Sequence, residues 1–251
     1  MLKLIAARLQ QGYRTIGYPA AAPTLPERYR GRPLLAAAAD SAALARAMAK
    51  CPTGALRATP DARPALDLGA CLFCDACARE CPDIVRFSSE FRQAAAKREE
   101  LIVTPDRADI PVALHREASR LFGRSLKLRQ VSAGGCNACE ADVNVLNTVV
   151  FDLGRFGIQF VASPRHADGL LITGPVPENM REAVLKSYAA TPAPKIVIAV
   201  GACAISGGPY KDHPEVHNGA GGLLPVDLFV PGCPPHPLTI LDGLLRFLGR
   251  L

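Results

Sequence analysis

The chain has 251 residues, 49% of them hydrophobic and 21% charged, which allows a core of ordinary size in one or two domains and excludes a fibrous or disordered chain. Its formal net charge of +6 is modest, and nothing in the sequence resembles a nucleic-acid-binding module. Nine cysteines would suggest disulfides in a small secreted protein, but this chain is not small and their spacing is that of metal ligands.

Residues 1–35 combine proline, glycine and basic side chains around a possible short N-terminal helix, and we expect them to form an extended arm. The arm carries six Lys or Arg residues against one acid, Glu27. Such an arm could lie on an acidic partner or near anionic lipid, and a solvated tail explains the charge equally well. We expect no signal peptide and no transmembrane helix, since no apolar run approaches ~18–20 residues.

The first metal-binding pattern follows residues 36–50, which are alanine-rich and predict a helix. It comprises Cys51-Pro52 and then Cys71-x-x-Cys74-x-x-Cys77-x-x-x-Cys81-Pro82, the run of bacterial ferredoxins. Zinc usually binds two separated Cys-x-x-Cys pairs, so a structural zinc site is the weaker alternative.

The position of Cys51 decides which cysteines share a cluster. In two-cluster ferredoxins the fourth cysteine of each run serves the other cluster. Cys51-Pro52 matches the end of an earlier run, whose other three cysteines are replaced by Ser41, Leu44 and Ala47. We therefore expect one [4Fe–4S] cluster on Cys51, Cys71, Cys74 and Cys77. Cys81 should remain a buried thiol beside residues 41–47 that binds no iron.

Four later cysteines organise the chain after about residue 113. Cys136 and Cys139 lie between a predicted strand, Leu126–Val131, and a predicted helix with apolar positions at helical spacing up to Gly154. Cys203 and Cys233 each follow a short apolar strand. Ligands gather beyond the carboxyl ends of the strands in an open α/β sheet, so we predict that these four thiolates hold one iron–sulfur cluster.

Other segments give weaker signals. Residues 88–101 and 114–122 are compatible with helices around a domain boundary, and Glu178 begins a predicted amphipathic helix that ends before Pro192. The glycine-rich loops lack a Gly-x-Gly-x-x-Gly or Walker sequence, so we predict no nucleotide site. His213, His217 and His236 show no ligand spacing and are expected at the surface or an interface.

Two further side chains are candidates for a supporting role. Glu140 directly follows a predicted ligand and could relay protons to a partner's active site, although a carboxylate in the first turn of a helix is favourable without that role. His166, and with it Arg165, could face an interface or tune the cluster, but a hydrogen-bonded loop histidine is the simpler interpretation.

Several motifs carry a family resemblance. The runs Gly135-Cys-Asn-Ala-Cys139-Glu140, Asp152-Leu-Gly-Arg-Phe-Gly157, Gly201-Ala-Cys203-Ala and Pro231-Gly-Cys-Pro-Pro235 resemble the small subunit of membrane-bound group 4 [NiFe]-hydrogenases, of the hydrogenase-4 and formate hydrogenlyase type. That subunit is similar in turn to the 20 kDa subunit of respiratory complex I, which typically has adjacent cysteines where this chain has Cys136-x-x-Cys139. Residues 1–100 resemble the ferredoxin subunit of the same complexes, so two usually separate subunits would be fused.

The resemblance implies a mixed α/β chain with three parts. These are an extended basic arm at 1–35, a small α+β bacterial-ferredoxin-like domain at 36–112, and a flavodoxin-like parallel-sheet domain at 113–251 that holds a proximal [4Fe–4S] cluster. Together with the ferredoxin-like domain, the chain would carry two [4Fe–4S] clusters.

The implied function is that of an oxidoreductase subunit without catalytic residues of its own. It would transfer electrons in a membrane-attached, energy-converting [NiFe]-hydrogenase-like complex, on the cytoplasmic face of the inner membrane. Its partners would be a large subunit that holds the active-site metal, membrane-arm subunits, and an electron donor or acceptor protein. The alternatives are the equivalent subunit of a complex I-like quinone-reducing or ion-pumping complex, and a free ferredoxin-type carrier.

Overall fold

The computed structural model describes residues 2–107, 110 and 120–251. Within them the α-helices are α1 (Leu2–Gln11), α2 (Ser41–Ala49), α3 (Ala76–Glu80), α4 (Ala138–Val145), α5 (Glu178–Ala190), α6 (Ala202–Ser206) and α7 (Pro237–Phe247). The strands are β1 (Pro33–Leu35), β2 (Leu56–Ala58), β3 (Pro64–Asp67), β4 (Val85–Phe87), β5 (Ile102–Val103), β6 (Leu126–Ser132), β7 (Ile158–Phe160), β8 (Gly169–Thr173), β9 (Ile196–Val200) and β10 (Leu228–Val230).

The C-terminal part is built on a five-stranded parallel sheet with the order β10-β9-β8-β6-β7. Counted from β6, this order is 2-1-3-4-5, the flavodoxin-like arrangement of a doubly wound fold. Every residue of β8 and β9 is buried, as expected for central parallel strands covered on both faces. The predicted parallel α/β fold is confirmed.

The two faces of the sheet alternate as the pleat requires. Leu171 and Ile198 point to the core formed with α4 and α7, whereas Leu170 and Val197 point to the core formed with α5. Helix α7 is buried along nearly all its length. Helices therefore pack against both faces of the sheet, and this packing supports the loops at its carboxyl edge.

The N-terminal part contains two small antiparallel sheets, β1-β4 and β2-β3-β5, packed with α2 and α3. Its core also contains Ala199, Ile205 and Phe229 of the C-terminal part. Ala95 and Phe229 exchange two backbone hydrogen bonds of 3.0 and 2.8 Å, so the chain before β5 pairs with the edge strand β10. The two parts therefore pack directly against each other through shared hydrophobic contacts.

The structure corrects two helix predictions. The helix after Cys139 ends at Val145 instead of continuing to Gly154, because Val149 and Val150 are solvent-exposed and accept hydrogen bonds from the N-terminal arm. Residues 88–101 form no α-helix, and their only helical element is a single 3₁₀ turn at Arg98–Leu101. Their backbone instead forms hydrogen bonds with the arm and with β10.

Three other helix predictions agree with the structure, and one falls mostly outside the described residues. The predicted helix over 36–50 is α2, the helix that begins at Glu178 is confirmed as α5, and the arm does begin with a short helix, α1. Most of the stretch 114–122 lies outside the described residues. In the part of the chain that the structure describes, no helix is both long and apolar enough to cross a bilayer.

Candidate functional site

The later four cysteines all lie at the carboxyl edge of the parallel sheet. Cys136 is in the loop after β6, Cys139 is in the first turn of α4, Cys203 is in the first turn of α6 after β9, and Cys233 follows β10. Three separate loops thus deliver four sulfurs to one edge. Cys136 and Cys233 are exposed, whereas Cys203 is buried.

Two glycines let the backbone approach these sulfurs closely. A Cβ atom at Gly201 would lie 2.5 Å from the Sγ atom of Cys139, and one at Gly208 would lie 2.8 Å from the Sγ atom of Cys203. Both glycines have a positive φ that other residues rarely adopt. No larger residue fits at either position without displacing a sulfur.

The four thiols interact electrostatically. Burial raises the pKa of Cys139, and the neighbouring Cys203, Glu140, Cys233 and Cys136 raise it further. Burial, followed by Cys233 and Cys136, raises the pKa of Cys203 to about 11. The sulfurs are thus close enough for their thiolates to repel one another, and a cationic group among them would relieve that repulsion.

This donor set fits an iron–sulfur cluster, whose usual ligands are four cysteine thiolates. Among the described residues, no group of three or more His, Cys, Asp or Glu side chains is arranged to hold one metal ion. Zinc draws each sulfur to about 2.3 Å from one centre, whereas a four-iron cluster binds each thiolate at a different iron and spaces them more widely.

The N-terminal cysteines form a second group. Cys51 lies just after α2, Cys71 and Cys74 lie in the loop after β3, and Cys77 is in α3. Burial raises the pKa of Cys71, with further contributions from Cys77, Cys51 and Cys74, and burial followed by Cys51 is the main cause of the raised pKa of Cys77. The structure therefore brings Cys51 beside the Cys71–Cys77 loop, although about 20 residues separate them in the chain.

Backbone N–H groups point at the sulfurs of this second group. Ala55 donates a hydrogen bond of 3.2 Å to the Sγ atom of Cys51, and Phe73 donates one of 3.3 Å to that of Cys71. Burial alone would raise the pKa of Cys51, but donors from Leu56, Thr53 and Ala55 lower it on balance. Such N–H···S bonds stabilise thiolate ligands and adjust cluster potentials.

Cys81 lies at the C-terminal end of α3. Its thiol is buried and donates a hydrogen bond of 3.3 Å to the carbonyl oxygen of Ala43 in α2. Leu44 and Ala47 of the same helix are buried in the core around it. Cys81 thus contacts the segment 41–47 rather than the group of Cys51, Cys71, Cys74 and Cys77.

Glu140 is buried beneath the later cysteines. Ser132 and Thr173 donate hydrogen bonds of 2.7 and 2.6 Å to its Oε1 atom, whereas its Oε2 atom has no hydrogen-bond partner among the described residues. Burial opposes its ionisation, yet these two hydroxyls hold the pKa of Glu140 below its ordinary value. The carboxylate therefore ties α4 to the ends of β6 and β8. Its role as a proton relay stays a prediction.

Sequence reasoning missed Ser132 and Thr173. The signal that could have found them is their position, since each is the last residue of a strand whose carboxyl end faces the cysteines.

The other singled-out side chains lie elsewhere. His166 and Arg165 precede β8, at the amino edge of the sheet, whereas the later four cysteines lie at its carboxyl edge. His217 lies 2.5 Å from the Oε2 atom of Glu178, and His213 accepts a hydrogen bond from the backbone of Glu215. His236 differs from these, because it lines a groove together with Cys74 and Cys233.

Comparison with known proteins identifies relatives of the C-terminal part. Residues 136–247 match the family described as NADH ubiquinone oxidoreductase, 20 Kd subunit. The chain is 44% identical over 132 residues to a probable membrane-bound hydrogenase subunit, mbhJ, of Pyrococcus furiosus, with 53% of this chain and 79% of that protein covered.

Two further relatives come from different complexes. Formate hydrogenlyase subunit 7 of Escherichia coli is 45% identical over 128 residues, and the match covers 51% of this chain and 50% of that protein. An NADH-quinone oxidoreductase subunit of Clostridium beijerinckii is 44% identical over 118 residues, covering 47% of this chain and 70% of that protein. Among solved structures, a chain of the archaeal membrane-bound sulfane sulfur reductase is 31% identical, with a TM-score of 0.47, covering 54% of this chain and 75% of that chain.

Proposed function

Because the chain belongs to the family of the NADH ubiquinone oxidoreductase 20 Kd subunit, we propose that it is the electron-transfer subunit of a membrane-attached, energy-converting [NiFe]-hydrogenase-like complex. It is an oxidoreductase component, and the active-site metal belongs to a large-subunit partner. The observation that carries the proposal is the gathering of Cys136, Cys139, Cys203 and Cys233 at one sheet edge, inside the matched residues 136–247.

The proposed cofactors are two [4Fe–4S] clusters, one on Cys136, Cys139, Cys203 and Cys233 and the other on Cys51, Cys71, Cys74 and Cys77. When bound, each cluster supplies one-electron redox chemistry. The protein's own contribution is to hold the thiolates, to exclude water from the buried sulfurs and to donate N–H···S bonds. In each group the cysteines lie near enough that their thiolates would repel one another, which supports this assignment.

We propose that residues 36–112 are a ferredoxin-like domain fused to the family domain at 113–251, preceded by the arm at 1–35. Two placements support this. Cys51 lies beside the Cys71–Cys77 loop, and α3 carries Cys81 away from that loop towards α2. Both are the arrangement of a two-cluster ferredoxin that has kept one of its two sites.

The hydrogenase version is preferred to a complex I-like version without hydrogenase activity. The spacing of Cys136-x-x-Cys139 supports it, as do the relatives from a membrane-bound hydrogenase and a formate hydrogenlyase. The exposed Cys136 and Cys233 mark the face that the large subunit would cover. Further partners would be the membrane-arm subunits and an electron donor or acceptor protein.

Attachment at the cytoplasmic face of the inner membrane is proposed through α1. Leu2, Ile5 and Leu9 follow helical spacing and are 83%, 53% and 79% exposed. Lys3 and Arg8 lie on the same helix, and no acid precedes Glu27 in the chain. A short basic helix with an uncovered apolar face suits an anionic lipid surface, where both the leucines and the basic side chains find partners.

Co-purification from the native host without oxygen tests the proposed function. We expect the chain to remain bound to a large subunit that contains nickel with cysteine ligands. A partner without nickel would favour the complex I-like alternative. A chain that stays monomeric and soluble would contradict the subunit role altogether.

A further inference from the structure

A groove of about 460 Å³ joins the two groups of cysteines. Cys74 of the N-terminal group and Cys233 of the C-terminal group both line it, and both are exposed. The two groups of cysteines therefore face a common groove, with Cys74 and Cys233 as their members in its lining.

Consecutive residues of the N-terminal arm contact the loops on both sides of this groove. The ring of Tyr29 packs edge-on against that of His236, with 5.3 Å between the ring centroids, and its hydroxyl lies 3.5 Å from the Oγ1 atom of Thr239. Arg30 donates one hydrogen bond of 3.0 Å to Asp75 and another of 3.3 Å to the carbonyl oxygen of Phe73. Tyr29 thus holds the chain after Cys233, and Arg30 holds the chain on either side of Cys74.

The loop around Cys74 needs such support. Phe73 and Asp75 have φ angles of 52° and 60°, in the left-handed region that is unfavourable for residues other than glycine. A backbone of this kind persists only when its surroundings fix it. The planar guanidinium of Arg30 binds to both residues at once, which a lysine cannot do in the same way.

The arm itself is fixed just beyond Arg30. The N–H of Gly31 bonds to the carbonyl oxygen of Ser88 at 2.7 Å, and that of Arg32 bonds to the carbonyl oxygen of Glu90 at 2.8 Å. A Cβ atom at Gly31 would lie 2.3 Å from the carbonyl oxygen of Glu90, so the two backbones are in close contact. Tyr29 and Arg30 therefore project from a backbone that has little freedom to move.

We propose that Tyr29 and Arg30 are positioning residues that fix the separation of Cys74 and Cys233, and with it the transfer of electrons between the two clusters. This inference rests on the proposed function, because it requires a cluster in each cysteine group. With both clusters bound, one electron would cross the groove, so that one cluster would be oxidised and the other reduced and no bond would be made or broken. The arm would then have two roles, because it would position the two cysteine loops and also attach the chain to the membrane.

The test compares Arg30→Gln, Arg30→Lys, Tyr29→Ala and Tyr29→Phe in the assembled complex. When both clusters are reduced, each is paramagnetic, and two neighbouring paramagnetic clusters broaden each other's electron paramagnetic resonance signals. We expect Arg30→Gln, Arg30→Lys and Tyr29→Ala to lose this mutual broadening and to slow electron transfer between the clusters, with iron content unchanged. Tyr29→Phe keeps the ring against His236 and should behave as the wild type does.

The matched control is Arg63→Gln, which removes an arginine from the same part of the chain. Arg63 pairs with the exposed Asp106 and contacts neither cysteine group, so the broadening should persist. Wild-type broadening in both Arg30→Gln and Tyr29→Ala would overturn the proposal. Broadening that is lost in Arg30→Gln but kept in Arg30→Lys would also overturn it, because charge and not geometry would then be responsible.

Failure of the proposed function is recognised separately. A wild-type complex whose chain holds only one cluster shows no mutual broadening before any variant is made. Loss of the N-terminal cluster's iron in both Arg30 variants would make Arg30 a requirement for cluster binding, which contradicts a role confined to positioning.

Discussion

The hydroxyl of Tyr18 donates a hydrogen bond of 2.5 Å to the Oδ1 atom of Asp242, which lies 224 residues further along the chain. Asp242 is fully buried in α7, and its carboxylate also accepts hydrogen bonds from the Nε atom of Arg246 at 2.9 and 3.1 Å. Burial, followed by the hydrogen bond to Asp242, raises the pKa of Tyr18 far above its ordinary value, so the hydroxyl stays protonated and donates.

Tyr18→Phe should lower the free energy of unfolding by about 1–3 kcal/mol, because the buried carboxylate of Asp242 loses one of its hydrogen-bond donors and keeps only Arg246. Urea denaturation monitored by circular dichroism measures this change. Tyr13→Phe is the control, since Tyr13 is 90% exposed. Equal stabilities of the two variants would show that the Tyr18–Asp242 contact does not hold the arm.

Cys51 and Cys81 both precede proline, but only one of them should bind iron. We expect Cys51→Ser to remove the N-terminal cluster's electron paramagnetic signal or change its shape, because Cys51 lies beside Cys71 and Cys77. Cys81→Ser should leave that signal and the iron content nearly intact, since its thiol bonds to Ala43 instead. If Cys81→Ser abolishes the signal while Cys51→Ser does not, the assignment is wrong, and the cluster is bound by the four consecutive cysteines from Cys71 to Cys81.

Cys203→Ser and Cys233→Ser should each reduce the iron content by one cluster, about four irons per chain. Each of these cysteines comes from a separate strand end, so no neighbouring sulfur can replace it. Electron flow to the large subunit should stop, and folding should suffer because the remaining thiolates surround an incomplete site. Iron analysis of the purified variants measures the loss, and retention of two full clusters would refute the four-cysteine assignment.

The apolar face of α1 should be needed for membrane attachment. We expect replacement of Leu2, Ile5 and Leu9 by serine to abolish flotation of the chain with anionic vesicles, without changing its iron content. Lys3→Glu with Arg8→Glu should weaken binding to anionic vesicles and leave the already weak binding to zwitterionic vesicles unaltered. Flotation of the wild-type chain that is equally strong with both vesicle types would contradict an electrostatic contribution.

The parallel sheet could be predicted because its signals are local. Apolar runs such as Ile196–Val200 are too short for a helix and fully buried, and each predicted cysteine loop follows the end of such a run. In a parallel sheet these ends lie at one edge. The arrangement of the later four cysteines could therefore be inferred from strand ends alone.

The arm's contacts could not be predicted, because no local pattern encodes them. The backbone N–H of Ile16 bonds to the carbonyl oxygen of Val150, whose exposed side chain looked like part of the core face of a longer helix. The charged stretch 88–101 looked helical, yet its backbone pairs with Arg32 and Phe229, which lie far away in sequence. Likewise, no local pattern indicated that Phe229 and Ile205 pack in the core of the N-terminal part.

The measurement that tests the central claim most directly is the iron and acid-labile sulfide content of the full chain, purified without oxygen and accompanied by a reductive titration followed by electron paramagnetic resonance. Two [4Fe–4S] clusters predict about eight irons and eight sulfides per chain, with two distinct signals. A chain that holds zinc and no iron, or only four irons with a single signal, would contradict the proposal that it carries electrons between two clusters.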